Sequence, residues 1–127
     1  MNKHLNLINV IIVNWNGEEY IRNCLDSLRK QAAPEYSTIL VDNGSYDGSL
    51  EQVRESYTEV QIIPLEKNFG FAIGNNIALK EISTEYVALL NNDAMPDKHW
   101  LSNLVGALER HPEAGLCCLE DAFLSQS

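Results

Sequence analysis

The chain lacks several features, and each absence narrows the field. No stretch approaches 18 consecutive apolar residues, so no transmembrane helix is encoded. Basic residues are scarce: 9 Lys and Arg stand against 18 Asp and Glu, for a net charge of −9. A nucleic-acid-binding surface needs a basic stripe, so that class is set aside. A nucleotide stays open, because a small ligand needs only a local site and can bring a divalent cation. Only three cysteines occur, Cys24, Cys117 and Cys118, and none has the C-x₂-C spacing of a metal site. They read as reduced, buried thiols of a cytosolic protein. No glycine-rich loop follows the first apolar run, which argues against a dinucleotide-binding or nucleotidyltransferase fold. Repeats, low-complexity tracts and linkers are missing too. The 127 residues read as one domain, 1–127, large enough to bury a core.

What is present alternates regularly. Leu7 to Val13 is an apolar run broken only by Asn9. The start of the chain invites a signal-peptide reading, but no small-residue cleavage site follows, and a strand buried on both faces fits better. Glu18 to Gln31 has apolar residues at helical spacing. Thr38 to Val41 is a second strand, and Ser49 opens a second helix, with Gln52 placed for a capping box. Val60 to Ile63 is a third strand, closed by Pro64. A third helix runs from about Ala72 to Ile82, and Tyr86 to Leu90 is a fourth strand. Pro96 and Asp97 mark the start of a fourth helix that Pro112 stops, and Ala114 to Leu119 begins a fifth strand. Strands alternating with helices predict a three-layer α/β/α domain around a mainly parallel sheet. Ligands of such sheets sit beyond the carboxyl ends of the strands.

Polar residues cluster just after the apolar runs. Asp42 to Ser49 reads Asp-Asn-Gly-Ser-Tyr-Asp-Gly-Ser. Gly44 and Gly48 mark turns. Asp42, ending a buried strand, is either part of that turn or an acceptor for a base N–H or ribose hydroxyl. Asp47 reads as a turn or helix-start residue. Asn68 to Asn76 pairs Gly70 with Gly74 at a helix start, which suits either an anion or a tight loop with close helix packing. Its asparagines are poor choices for a helix interior, so a polar role near the helix start is plausible. Leu89 to Ala94 carries a strand into Asn91-Asn92-Asp93, either a helix-entry loop or a sparse site for a hard cation completed by phosphate and water. His4, His99 and His111 read as surface residues.

Together these segments resemble the family-2 glycosyltransferases of GT-A fold. That family's N-terminal half reads V-N-[YW]-N, V-D-N-x-S-x-D-G-[ST], N-x-G-[FY]-[AG]-x-[GA]-[NC]-N and L-[LF]-[LN]-x-D. Here these are Val13 to Asn16, Val41 to Ser49, Asn68 to Asn76 and Leu89 to Asp93, in the same order and spacing. The match covers roughly residues 8–116 and looks most like bacterial rhamnosyltransferase-like members of cell-surface polysaccharide synthesis. The resemblance implies that Asn14 and Glu18 flank the nucleoside and that Asp42, beside Asn43, holds the base edge. Asn68, Gly70 and Asn75 would line the donor pocket, Asn92 would lie beside ribose and diphosphate, and Asp93 would bind Mg²⁺ or Mn²⁺. It implies transfer, with inversion, from a UDP- or dTDP-linked sugar to an acceptor glycan or lipid-linked glycan, in the cytoplasm or at the inner face of the membrane. Two departures stand out. The family's D-x-D begins here with an amide, Asn91. The family's acceptor half and catalytic base, which come later in the chain, have no counterpart, since Glu120 and Asp121 come too early. No catalytic residue is identifiable, and a non-catalytic nucleotide-sugar-binding module or truncated remnant is the alternative. A truncated sheet would leave an open edge near Leu116, which favours self-association.

Overall fold

The computed structural model describes residues 8–113. Four strands and four helices alternate: β1 Ile8–Asn14, α1 Ile21–Arg29, β2 Tyr36–Asp42, α2 Ser49–Ser56, β3 Gln61–Pro64, α3 Phe71–Leu79, β4 Tyr86–Asn91 and α4 Trp100–Arg110. The strands form one parallel sheet in the order β3-β2-β1-β4. The predicted fifth strand, together with Cys117 and Cys118, lies outside the described residues.

The side-chain alternation of β1 divides the core in two. Ile8, Val10 and Ile12 point to one face, where they pack with Leu40, Ala88 and Leu90 under α1, α2 and α4. Ile11 points to the other, with Ile39, Val41 and Ala78 of α3. A strand covered on both faces needs a continuous apolar run, which β1 has. Its one polar interruption, Asn9, is 9% exposed and donates to Thr84 Oγ1 at 3.2 Å. The chain moves outward from β1 to β3 with α1 and α2 on one face. It then returns across the sheet to β4 with α3 on the other, which opens a crevice between the carboxyl ends of β1 and β4.

Several element ends differ from the sequence-based expectation by a few residues, α3 closing at Leu79 instead of Ile82 among them. Helix α1 begins at Ile21 instead of Glu18, because the Gly17 carbonyl accepts from both Tyr20 and Ile21 N–H and forms a turn first. Helix α4 begins at Trp100 rather than at Pro96, since Asp97 holds its own turn, accepting Trp100 N–H on its carbonyl and His99 N–H on its carboxylate. The capping box does not form. Gly48 is the N-cap of α2, and Ser49, one residue inside, gives both its N–H and its hydroxyl to the Asp47 carboxylate, at 2.9 and 2.6 Å. Gln52 does not reach back, and its buried Oε1 has no hydrogen-bond partner among the described residues.

Candidate functional site

In the register of the sheet Asn14 stands opposite Asp42 and Val13 opposite Asn91, so the polar residues that end β1, β2 and β4 arrive at one edge together. Asn14 is their meeting point. It is fully buried. Its Nδ2 donates to Asp42 Oδ1 at 3.1 Å and to Ser49 Oγ at 2.9 Å, with Ser45 Oγ at 3.3 Å. Its Oδ1 accepts from Asn92 Nδ2 at 2.9 Å, and its carbonyl accepts Asn43 N–H at 2.8 Å. One side chain therefore joins the loops that follow three strands.

Asp42 is 1% exposed. Besides Asn14 it accepts the Ser45 hydroxyl at 2.8 Å and the Ser45 N–H at 2.9 Å. Buried charge is tolerable when donors surround it in this way. The first loop is stitched to the second by Asn16, whose N–H donates to Ser45 Oγ at 2.8 Å and whose Oδ1 accepts Tyr46 N–H at 2.9 Å. Asn16 has φ +51°, a left-handed conformation that asparagine tolerates better than most residues. Glu18 N–H donates to Asp47 Oδ2 at 3.0 Å. Burial alone would push the Asp47 carboxyl up, but the Ser49 hydroxyl and N–H and the Glu18 N–H outweigh it and hold it below its usual value.

Asn43 reaches to the third motif. Its Oδ1 accepts Phe69 N–H at 3.1 Å and its Nδ2 donates to the Gly70 carbonyl at 3.0 Å. The two glycines there have different reasons. Gly70 has φ +95° and open space where a Cβ would be, so its conformation requires glycine. Gly74 would carry a Cβ 3.1 Å from a Val13 methyl, a tight contact where α3 packs closely on β1. Asn68 Oδ1 accepts Gly70 N–H at 2.7 Å, and Asn75 Nδ2 donates to the Phe71 carbonyl of its own helix at 3.1 Å.

The expected site residues thus fall into two groups. Asn14, Asp42, Asn43 and Asn75 are buried and engaged within the chain. Glu18, Asn68, Gly70 and Asp93 are exposed around them, with Asn92 half-buried between. Among the described residues no three His, Cys, Asp or Glu side chains gather into a metal cage. Asp93 and the amides beside it offer only hard oxygen donors, which fit Mg²⁺ or Mn²⁺ if phosphate and water complete the shell. The nearby Cys24 is buried, and burial, and after it the charge of Asp93, push its thiol up to about 12.

Sequence reasoning missed five contributors. Ser45 and Ser49 were read only as turn and helix-start residues, although their hydroxyls connect Asn14 to Asp42 and Asp47. Gly17 gives room that no side chain would leave: a Cβ there would collide with both Asn14 Oδ1 and Asn92 Nδ2. Trp15 and Tyr46 stand edge to face at the rim, ring centres 6.1 Å apart and both exposed. A signal for the last pair existed, since large aromatics in polar loops rarely serve a core.

The family described as glycosyl transferase family 2 matches residues 9–123. The teichoic acid poly(glycerol phosphate) polymerase of Staphylococcus epidermidis is 34% identical over 93 residues, covering 70% of this chain and 13% of that protein. Glycosyltransferase AglE of Haloferax volcanii is 30% identical over 113 residues, or 85% of this chain and 37% of that one. Among solved structures, S. aureus TarS 1-349 in complex with UDP-GlcNAc superposes with a TM-score of 0.75 at 30% identity, covering 83% of this chain and 32% of that one. The mannosyltransferase PcManGT from Pyrobaculum calidifontis, in complex with GDP-Man and Mn²⁺, gives 0.75 at 26% identity, covering 84% and 33%. The chain spans well under half the length of these relatives.

Proposed function

The chain belongs to glycosyl transferase family 2, and on that premise we propose that it is the donor-binding domain of an enzyme that moves a sugar from a nucleoside diphosphate to an acceptor hydroxyl. One observation carries this reading. Asp42 and the Asn92-Asp93 pair, far apart in the chain, are gathered by Asn14 across the crevice between β1 and β4. Such a crevice, where the strand order reverses, is where open α/β sheets bind nucleotides.

In this reading Asp42 and Asn43 form the floor under the base, Asn14 and Glu18 flank the nucleoside, and Asn68, Gly70 and Asn75 shape the donor pocket. Asn92 lies toward the ribose and diphosphate, and Asp93 holds Mg²⁺ or Mn²⁺, which when bound supplies Lewis-acid stabilisation of the leaving diphosphate. The base of the donor is uracil or thymine, and the transfer is hexosyl or rhamnosyl with inversion. A base outside the described residues takes the acceptor proton as the hydroxyl oxygen attacks the anomeric carbon and the bond to the diphosphate breaks. The teichoic acid named for one relative supports a cell-surface glycan as acceptor, free or lipid-linked, with the reaction in the cytoplasm or at the inner membrane face as part of the same proposal. Among the described residues no helix is long and apolar enough to cross a membrane. A second reading, a binding module without turnover, is favoured by the engagement of both Asp42 and Asp47 with internal donors, which leaves neither poised as a base.

Calorimetry with UDP and dTDP, with and without Mn²⁺, tests the proposal on the wild type and on Asp93→Ala. Binding that Mn²⁺ strengthens in the wild type and not in the variant is expected. Failure of both nucleotides to bind would overturn the donor-site reading. Mn²⁺ dependence that survives Asp93→Ala would remove the metal from that residue. Sugar transfer assayed on the same chain separates the two readings.

A further inference from the structure

The orientation of the Asn14 amide is dictated by its surroundings. Its Nδ2 faces the Asp42 carboxylate and the Ser49 hydroxyl, whose own hydrogen is committed to Asp47. Turning the amide over would set Oδ1 against the carboxylate, acceptor against acceptor, at a residue with no exposure to water. Oδ1 must therefore face β4, and position 92 must supply a donor, which Asn92 Nδ2 does at 2.9 Å. An aspartate at 92 could not. Gly17 points independently to the same bond. It does not adopt the positive φ of Gly44 or Gly70, so conformation does not demand a glycine there. Space does: a Cβ would strike both atoms of the Asn14–Asn92 hydrogen bond.

We infer that Asn92 is a positioning residue, clasped to Asn14 across the β1–β4 crevice so that the nucleoside end of the site at Asp42 and the cation end at Asp93 are thermodynamically coupled. This rests on the donor-site reading above. The Nδ2 group that would reach the ribose or diphosphate is engaged with Asn14. A ligand that settles the β1 and β2 loops around Asp42 fixes Asn14, and through it the loop carrying Asp93.

Uridine isolates the effect, because it has no phosphate to bridge to a cation. Mn²⁺ titrations, followed by the electron paramagnetic resonance of the free ion, give its affinity with and without saturating uridine. The wild type is expected to bind Mn²⁺ about fivefold or more tightly when uridine is present, the lower range of measured allosteric couplings. Asn92→Ala is expected to reduce that ratio to near one at uridine concentrations that saturate the variant. Gly17→Ala, which removes no polar group but forces the two atoms of the Asn14–Asn92 bond apart, should do the same, and the double variant should be no worse than either single one. An unchanged ratio in Asn92→Ala would overturn the coupling, as would a wild type that binds UDP but shows a ratio of one. A wild type that does not bind UDP at all would overturn the donor-site reading itself.

Discussion

At the scale of single residues, the edge of the sheet is held by hydrogen bonds whose donors and acceptors are matched one by one. Asp47 shows how this sets a pH dependence. Its folded-state carboxyl lies below the ordinary 3.8, because the donors of Ser49 and Glu18 outweigh burial. The unfolded chain binds the proton more readily, so the stability from Asp47 is present above that value. It is lost as the pH falls below 3.8 toward the lower folded value. Urea midpoints measured from neutral pH into acid should show this loss, and Asp47→Asn should flatten the acid limb. Gly44 illustrates a steric requirement instead. It has φ +76°, and a Cβ would lie 2.6 Å from the Lys67 backbone. Gly44→Ala should cost about 1–3 kcal/mol of stability in denaturant unfolding, since neither the strain nor the clash has a flexible outlet. The glycine was legible in the sequence as a turn, but the neighbouring chain at Lys67 was not.

At the scale of elements, α1 and α4 each present an apolar stripe to one face of the sheet. Helix α4 carries Trp100, Leu101, Leu104 and Val105 inward, as the sequence periodicity indicates. Its first turn is fixed by tertiary contacts that local signals do not report. Gln31 Oε1, in the loop before β2, accepts Leu101 N–H at 3.0 Å, and its Nε2 donates to the Asp97 carbonyl at 2.7 Å. Trp100, 2% exposed, is among the largest side chains in the core. Trp100→Ala should therefore lower unfolding free energy by about 3–5 kcal/mol, read from chemical denaturation. Helix α1 is tied to the segment after α2 by Arg29, which donates to both Glu59 carboxylate oxygens and lies 4.3 Å over the Tyr57 ring. Helix α3 differs, because Phe71, Ile73 and Leu79 face outward from it. Its covered side carries the small residues Gly74 and Ala78, so hydrophobic periodicity does not single that side out.

At the scale of the whole molecule, β4 is an edge strand among the described residues, paired only with β1. Its Val87 and Leu89 are 36% and 46% exposed on the α3 side of the sheet. An open edge with apolar neighbours promotes association. Any mass above the monomer's in light scattering after gel filtration should fall in Leu89→Lys, whereas a monomeric wild type would show that this edge does not associate. The net charge of −9 opposes association in general and leaves such a patch as the focus for it.

By itself the sequence determined the alternation of strands and helices, the double burial of β1 and the identity of the segments that end the strands. Those follow from periodicity and turn chemistry, which act between residues close in the chain. It also carried the family through four linked motifs. Only the tertiary structure decided which of these polar groups bond to one another. The sequence places Asp42 and Asn14 at strand ends without saying what they touch; they are buried and bonded to each other because the parallel register sets Asn14 beside Asp42, and the strand order brings Asn92 against Asn14. Hydrogen bonds between residues 28 and 78 positions apart leave no periodic trace in a chain, so the network became visible only once the sheet had assembled it.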